Sequence, residues 1–320
     1  MPWHSSSIAS RILAGALGLA ILNGPSTPRS FAHEGPEHEI EEITSDIERL
    51  GESPDRLIER AIEYGVLGKA PEAIRDLDRA LQLDPSSLHA LRELGRMQYQ
   101  AGRTNDALAT VGRALRQEIE EPANQGGLLV LRAEILRARG QFRSALADCT
   151  KAIQLHPYNP EWYLLQSDLQ RRLGQHRKRL ESLDQGLRST GAGVLQTEKV
   201  EAQLDARKYR DALKLIETEL AESRIRHAWL LRRARARIGL GNLEGAMADA
   251  QEALEEVDRL SHPNRPDTDL LLSRAMAVAL LGDPDSARRI LESAGARGVP
   301  ADVLERFHSA LRHAKAIPSN

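Results

Sequence analysis

Cysteine and aromatic side chains are nearly absent from this chain, and each shortage removes a class of function. One cysteine, Cys149, stands in 320 residues, which excludes an internal disulfide framework and a paired-cysteine metal site. Aromatics make up 3%, while Ala, Leu, Arg and Glu dominate, a balance that favours helix over strand. A basic surplus is also missing. Lys and Arg total 44 against 46 Asp and Glu, a net charge of −2, which argues against a general nucleic-acid binder. No GxSxG, HExxH, P-loop or glycine-rich dinucleotide turn occurs, so no catalytic constellation and no cofactor is expected.

Acid is absent from residues 1–32. There Arg11 precedes the apolar run ILAGALGLAIL (12–22), followed by Gly24, Pro25, Pro28 and Ser30-Phe31-Ala32. Eleven apolar residues are too few to cross a bilayer core of about 30 Å as a helix. Small residues at Ser30 and Ala32 fit a cleavage site after Ala32, so 1–32 reads as a signal peptide. The product is expected to be exported, periplasmic or secreted, without a membrane span. No cysteine near the cut would carry a lipid.

What is present is a grid. Ala61, Gly95, Ala133, Ser167, Val200, Ala234 and Ala275 lie 34, 38, 34, 33, 34 and 41 residues apart. Ala73, Ala107, Ala145, Ala212, Ala246 and Ala287 form a second series, twelve residues after members of the first. Gly68, Gly102, Gly140, Gly174, Gly241 and Gly282 fall between the two. The segment GKAPEAIRDLDRALQLDP (68–85) largely returns as GQFRSALADCTKAIQLHP (140–157). Such a period calls for a stacked array of helix-turn-helix units. Glycine just beyond a helix supplies the left-handed cap, alanine marks a close helix crossing, and Pro85 and Pro157 end second helices.

A small residue, glycine seven later, alanine five and twelve beyond that, and a closing proline together resemble the tetratricopeptide repeat. On that resemblance the chain is an all-α, right-handed α-solenoid of about seven units. They start near residues 54, 88, 126, 160, 193, 227 and 268. The expected organisation is a leader and capping helix at 33–52, a solenoid at 53–299, and a C-terminal capping helix and tail at 300–320. Ile40, Ile43, Ile47 and Leu50 form the first cap's apolar stripe; Val303, Leu304, Phe307 and Leu311 form the second. Two positions depart from the pattern: Arg179 stands where the close-contact alanine belongs, and Arg207 where the turn glycine belongs. The segments EEPANQGG and SHPNRPD read as loops between units.

One regularity concerns charge. Units 1, 3 and 6 carry Arg60, Arg132 and Arg233, each followed sixteen residues later by Asp76, Asp148 and Asp249. Where the arginine is Leu94, Gln166 or Lys199 the aspartate is absent too, although Arg274 of unit 7 faces Ile290. Sixteen residues across a tight turn place both on facing sides of two helices, so an Arg–Asp bridge within each unit is expected. These arginines are then structural.

The resemblance implies a non-enzymatic scaffold that holds an unidentified protein or peptide in a groove lined by first helices. The groove residues it implies are Arg92, Arg96, Gln100, Glu134, Arg137, Asp168, Arg172, Arg232 and Arg235. The family's clamp of lysines and asparagines on a terminal carboxylate is missing, since Ile58, Ile62, Glu93, Gly127 and Leu131 stand at its places. An alternative is metal handling: after cleavage, His33 and His38 with the new amine and nearby carboxylates suit Cu(II) or Zn(II). A third reading takes RRLGQHRKR (171–179) and RIRHAWLLRRARAR (224–237) as basic patches for an acidic peptide, phosphate groups or anionic lipid. Cys149, at a position apolar in other units, is expected to be buried and inert.

Overall fold

The computed structural model describes residues 35–262, 267–301, 303–305 and 307. The proposed signal peptide, His33, His308, Leu311 and His313 lie outside them. Every described element is an α-helix. A leading helix α1 (Pro36–Leu50) precedes seven hairpins: α2 (Pro54–Val66) with α3 (Ala70–Leu83), α4 (Leu88–Gln100) with α5 (Thr104–Ala114), and α6 (Pro122–Ala138) with α7 (Phe142–Leu155). Then come α8 (Pro160–Arg172) with α9 (His176–Thr190), α10 (Gly193–Asp205) with α11 (Tyr209–Glu222), α12 (His227–Gly239) with α13 (Leu243–Leu260), and α14 (Thr268–Leu280) with α15 (Pro284–Ala296). The chain divides into two compact units within α10, at Glu198 and Lys199.

The same local chemistry makes each hairpin. Gly68, Gly102, Gly140, Gly174, Gly241 and Gly282 all take positive φ, between 67° and 98°. The residue after each donates its N–H to a carbonyl five positions back, as from Lys69 to Tyr64 at 2.8 Å and from Gln175 to Gln170 at 2.8 Å. This closes the first helix and starts the second with no wasted length. In the fifth hairpin Arg207 does the glycine's work at φ 57°, the one non-glycine with positive φ among the described residues. Lys208 still reaches back to Gln203 at 2.8 Å. Side-chain caps from Ser53, Ser87, Asn159, Asn242, Asp267 and Asp283 start helices. Asp84 and His156, ahead of the prolines, are extended and stop α3 and α7.

In the first unit, Leu57, Ile58, Leu77, Leu91, Met97, Leu128 and Ile135 form a continuous core around Ala61, Ala73, Ala107 and Ala114, all four fully buried. In the second, Val200, Ile216, Leu230, Leu231, Met276 and Leu280 do the same around Ala212, Ala234, Ala246 and Ala277. Ile47 of α1 packs on the first core. Leu50, expected in that stripe, is instead 55% exposed, because the helix ends there at Gly51. Val303, Leu304 and Phe307 cover the end of α14 and α15.

One of the two loop expectations needs correction. The segment EEPANQGG is not a loop throughout: α6 begins at Pro122, four residues before the expected start of the third unit. Proline at the first helical position tolerates helix, since its missing N–H has no partner there anyway. Gly126 is a packing residue: a Cβ on it would lie 2.5 Å from the Trp162 ring. Of SHPNRPD, Ser261 caps α13 and Asp267 caps α14, while 263–266 lie outside the described residues.

The departure from the alanine series is structural in its consequence. Arg179 occupies the alanine position of the fourth hairpin and is 1% exposed. Its Nε donates to Ser167 Oγ at 2.8 Å and its Nη2 to Glu198 Oε1 at 2.8 Å. Ser167 donates to the same carboxylate at 2.8 Å. A buried guanidinium survives because a carboxylate and a hydroxyl meet it. Arg179→Ala should lower stability by about 3 kcal/mol, since Glu198 then stays buried without that guanidinium. The double change Arg179→Met with Glu198→Gln should recover much of it, as read by urea midpoints. By the same measurement Arg207→Gly should stabilise the chain by up to about 1 kcal/mol, as a side chain is removed from left-handed backbone.

Candidate partner-binding surface

The charged first-helix residues sort into two sets. In the first, Arg60 Nε and Nη2 meet Asp76 at 2.7 and 2.9 Å, and Arg132 Nε and Nη2 meet Asp148 at 2.7 and 2.7 Å. Arg233 Nη2 meets Asp249 at 2.6 Å, and Arg237 adds a contact at 2.7 Å to the same aspartate. All three pairs join the two helices of one hairpin. Hydrogen bonding to Asp76, opposed by burial, holds the Arg60 guanidinium above its ordinary pKa. Arg274, whose Ile290 offers nothing, reaches back to Asp258 of the preceding hairpin. Where the pair is missing, neutral bonds stand in: Thr110 to Gln98 at 2.8 Å, and Gln170 to Ser182 at 2.9 Å.

The second set holds the groove residues implied by resemblance. In the first unit, Arg92 and Arg96 share the buried carboxylate of Glu93, at 3.1 and 2.7 Å. Gln100, one turn on from Arg96, is exposed. On α8, Asp168 is buried and gathers Arg171 at 2.7 Å, Arg172 at 2.9 Å and Arg137 of α6 at 3.5 Å. Arg172 also lies 5.4 Å over the Phe142 ring. Burial pushes the Glu134 carboxyl up to about 7, against the opposing pull of Arg137 and with help from Glu161. In the second unit, Glu201 of α10 takes Arg232 at 2.9 Å and Arg235 at 2.7 Å, and Arg232 lies 5.0 Å over the Trp229 ring.

Sequence reasoning found the arginines and missed their counter-ions Glu93 and Glu201. The signal existed: Glu201 precedes Arg232 and Arg235 by 31 and 34 residues, and Arg137 precedes Asp168 by 31. Those are repeat lengths, and they link neighbouring first helices as sixteen links the helices of one hairpin.

Neither basic run lies whole on one face. Helical periodicity spreads 171–179 over three environments: Arg171 and Arg172 on Asp168, Arg179 in the core, and His176, Arg177 and Lys178 on the exposed side. In 224–237, Arg226 pairs with Glu252, Arg232 and Arg235 with Glu201, and Arg233 and Arg237 with Asp249. His227 within that run is buried, contacts Ser273 Oγ at 3.0 Å, and has its pKa lowered by that burial. Burial pushes the Cys149 thiol up to about 12, and its Sγ contacts the Trp162 carbonyl at 3.2 Å, an inert setting. His38 is exposed on α1. Among the described residues no group of three or more His, Cys, Asp or Glu comes together as a metal cage.

Comparisons with known proteins agree with this geometry. The tetratricopeptide repeat family model matches residues 58–122 and 197–261. No curated protein matches the sequence. Among solved structures, a tetratricopeptide repeat protein from Parabacteroides merdae is 18% identical with a TM-score of 0.59, over 81% of this chain and 98% of that one. Yeast Tom70 is 17% identical with a TM-score of 0.53, over 91% of this chain and 60% of its own. Pseudomonas aeruginosa pilF is 18% identical with a TM-score of 0.51, over 65% and 93%. At such identities the likeness is one of fold. Seven glycine- or arginine-turned hairpins, six of them with alanine at the crossing, carry the pattern that the tetratricopeptide repeat family model finds at residues 58–122 and 197–261.

Proposed function

We propose that the protein is an exported, non-catalytic scaffold that holds a segment of another protein against its first helices. The observation that carries this reading is the set of ordered guanidinium groups on the first helices of each unit. Arg92, Arg96, Arg137, Arg172, Arg232 and Arg235 are each fixed by a carboxylate on the same or a neighbouring first helix. Each is held before any ligand arrives, so little side-chain entropy is lost on binding. A guanidinium has five N–H donors, and the pairs described occupy only some of them. Export rests on the leader of residues 1–32 with its apolar run and small residues before His33. No helix among the described residues is long and apolar enough to cross a membrane.

The test is affinity capture from the envelope of the exporting cell, using the chain that begins at His33, with mass spectrometry of what is retained. Gln100→Glu, at an exposed residue, and the pair Arg92→Ala with Arg96→Ala should each reduce recovery of the partner without loss of helical signal. Full recovery with both would move binding off this face. Mass measurement of the exported chain should give His33 as its first residue.

Glu134 sets a pH dependence. Its pKa is raised in the folded chain from an ordinary value near 4.5 to about 7, so the charged form is disfavoured by folding. Stability from this group is therefore present at low pH and lost as pH rises from about 4.5 through 7. Glu134→Gln should raise the melting temperature at pH 8, by the equivalent of about 1–3 kcal/mol, and leave it unchanged near pH 4.

A further inference from the structure

The exposed part of the run 171–179 borders a cleft that no first-helix residue lines. The cleft, of 540 Å³, lies between one face of α7 and the turn into α9. Arg143, Leu146, Ala147 and Lys151 line it from α7, Leu173 and Gln175 from the turn. A second depression of 530 Å³ shares Gln175 and continues over His176, Arg177, Lys178 and Glu181. The α7 residues recur every three to four positions, so they form one continuous strip of that helix.

Charge and shape together define what fits. Glu181 is the only carboxylate on either lining, and Arg177 already takes it at 2.8 Å. Arg143, Lys151 and Lys178 are exposed and make no ion pair with any described residue. In a chain of net charge −2 this is a local reversal of sign. The start of α9 adds the positive end of a helix dipole. Leu146 and Leu173 are half-buried and Ala147 is exposed, so a short apolar strip lies between the cations. Gln175 lines both depressions and joins them.

We propose that this cleft docks a short acidic segment of a partner protein. Its carboxylates meet Arg143, Lys151 and Lys178, and an aliphatic side chain lies over Leu146, Ala147 and Leu173. A bilayer suits the site less, because a membrane surface is reached by large exposed apolar side chains, and here the apolar residues are two half-buried leucines and an alanine. The site is made of second-helix and turn residues and is distinct from the first-helix face.

The test is fluorescence anisotropy with the full chain and a fluorescein-labelled peptide built of repeated leucine-glutamate-glutamate. Saturable binding that weakens with added salt is expected, and none to the same peptide with lysine in place of glutamate. The triple variant Arg143→Glu, Lys151→Glu, Lys178→Glu should weaken binding about tenfold or more, with an unchanged circular dichroism spectrum. The pair Arg92→Ala with Arg96→Ala should leave this binding intact, which separates it from the first-helix reading. No binding by the unaltered chain, or equal binding by the triple variant, overturns the proposal. So does a chain that ignores the peptide yet binds phosphatidylserine vesicles through the same three cations, which would give the patch to a lipid surface.

Discussion

How closely the two helices of a hairpin cross governs which other residues this fold can use. Ala61 with Ala73, Ala133 with Ala145 and Ala234 with Ala246 are all essentially without exposure, because no longer side chain fits where the backbones approach. A close crossing also fixes the length of the turn, and the turn then requires one residue in left-handed backbone. Small residue, glycine and alanine are thus three consequences of one distance. Each hairpin still has an apolar face it cannot cover alone, which is why the motif recurs along the chain.

The fourth hairpin shows what it takes to relax that distance. A buried arginine at 179 is accommodated because Ser167, opposite, is small and can hydrogen-bond, and because Glu198 supplies the counter-charge. Gly186 further along α9 makes room of another kind: a Cβ there would stand 2.8 Å from both Leu195 and Tyr163. Leu195 and Glu198 both belong to α10, so the hairpin exchanges an alanine contact within itself for polar and apolar contacts with the next helix. Such a buried pair contributes little net stability, since desolvation offsets the attraction, but it is costly to break. Its value lies in specifying which helix sits beside α9.

Much of this was legible in the sequence because the determinants are short in range. The turn glycines, the alanine series and the sixteen-residue Arg–Asp spacing all act within one hairpin, where chain length fixes geometry. Arg207 and Arg179 were visible as departures, though not what each does: a side chain in left-handed backbone and a buried guanidinium look alike as broken pattern. The pairs on Glu201 and Asp168 were missed because they join neighbouring hairpins, at separations of 31 and 34 residues that depend on the length of each unit. The segment EEPANQGG was misread because its composition is that of a loop. Proline at the first turn and a glycine beneath Trp162 are compatible with helix for reasons that only packing reveals.

The division of the arginines into two sets follows from the same geometry. An arginine one position before the small residue lies on the side facing its own second helix, where Asp76, Asp148 or Asp249 neutralises it with both oxygens engaged. An arginine one position after the small residue, such as Arg96 or Arg235, is turned about 100° around the helix axis for each residue and so reaches the other face. There its carboxylate comes from the first-helix side, and the guanidinium keeps donors to spare. Two residues along one helix therefore separate a cation tied to its own second helix from one held by a first-helix carboxylate, and composition alone would count them as the same.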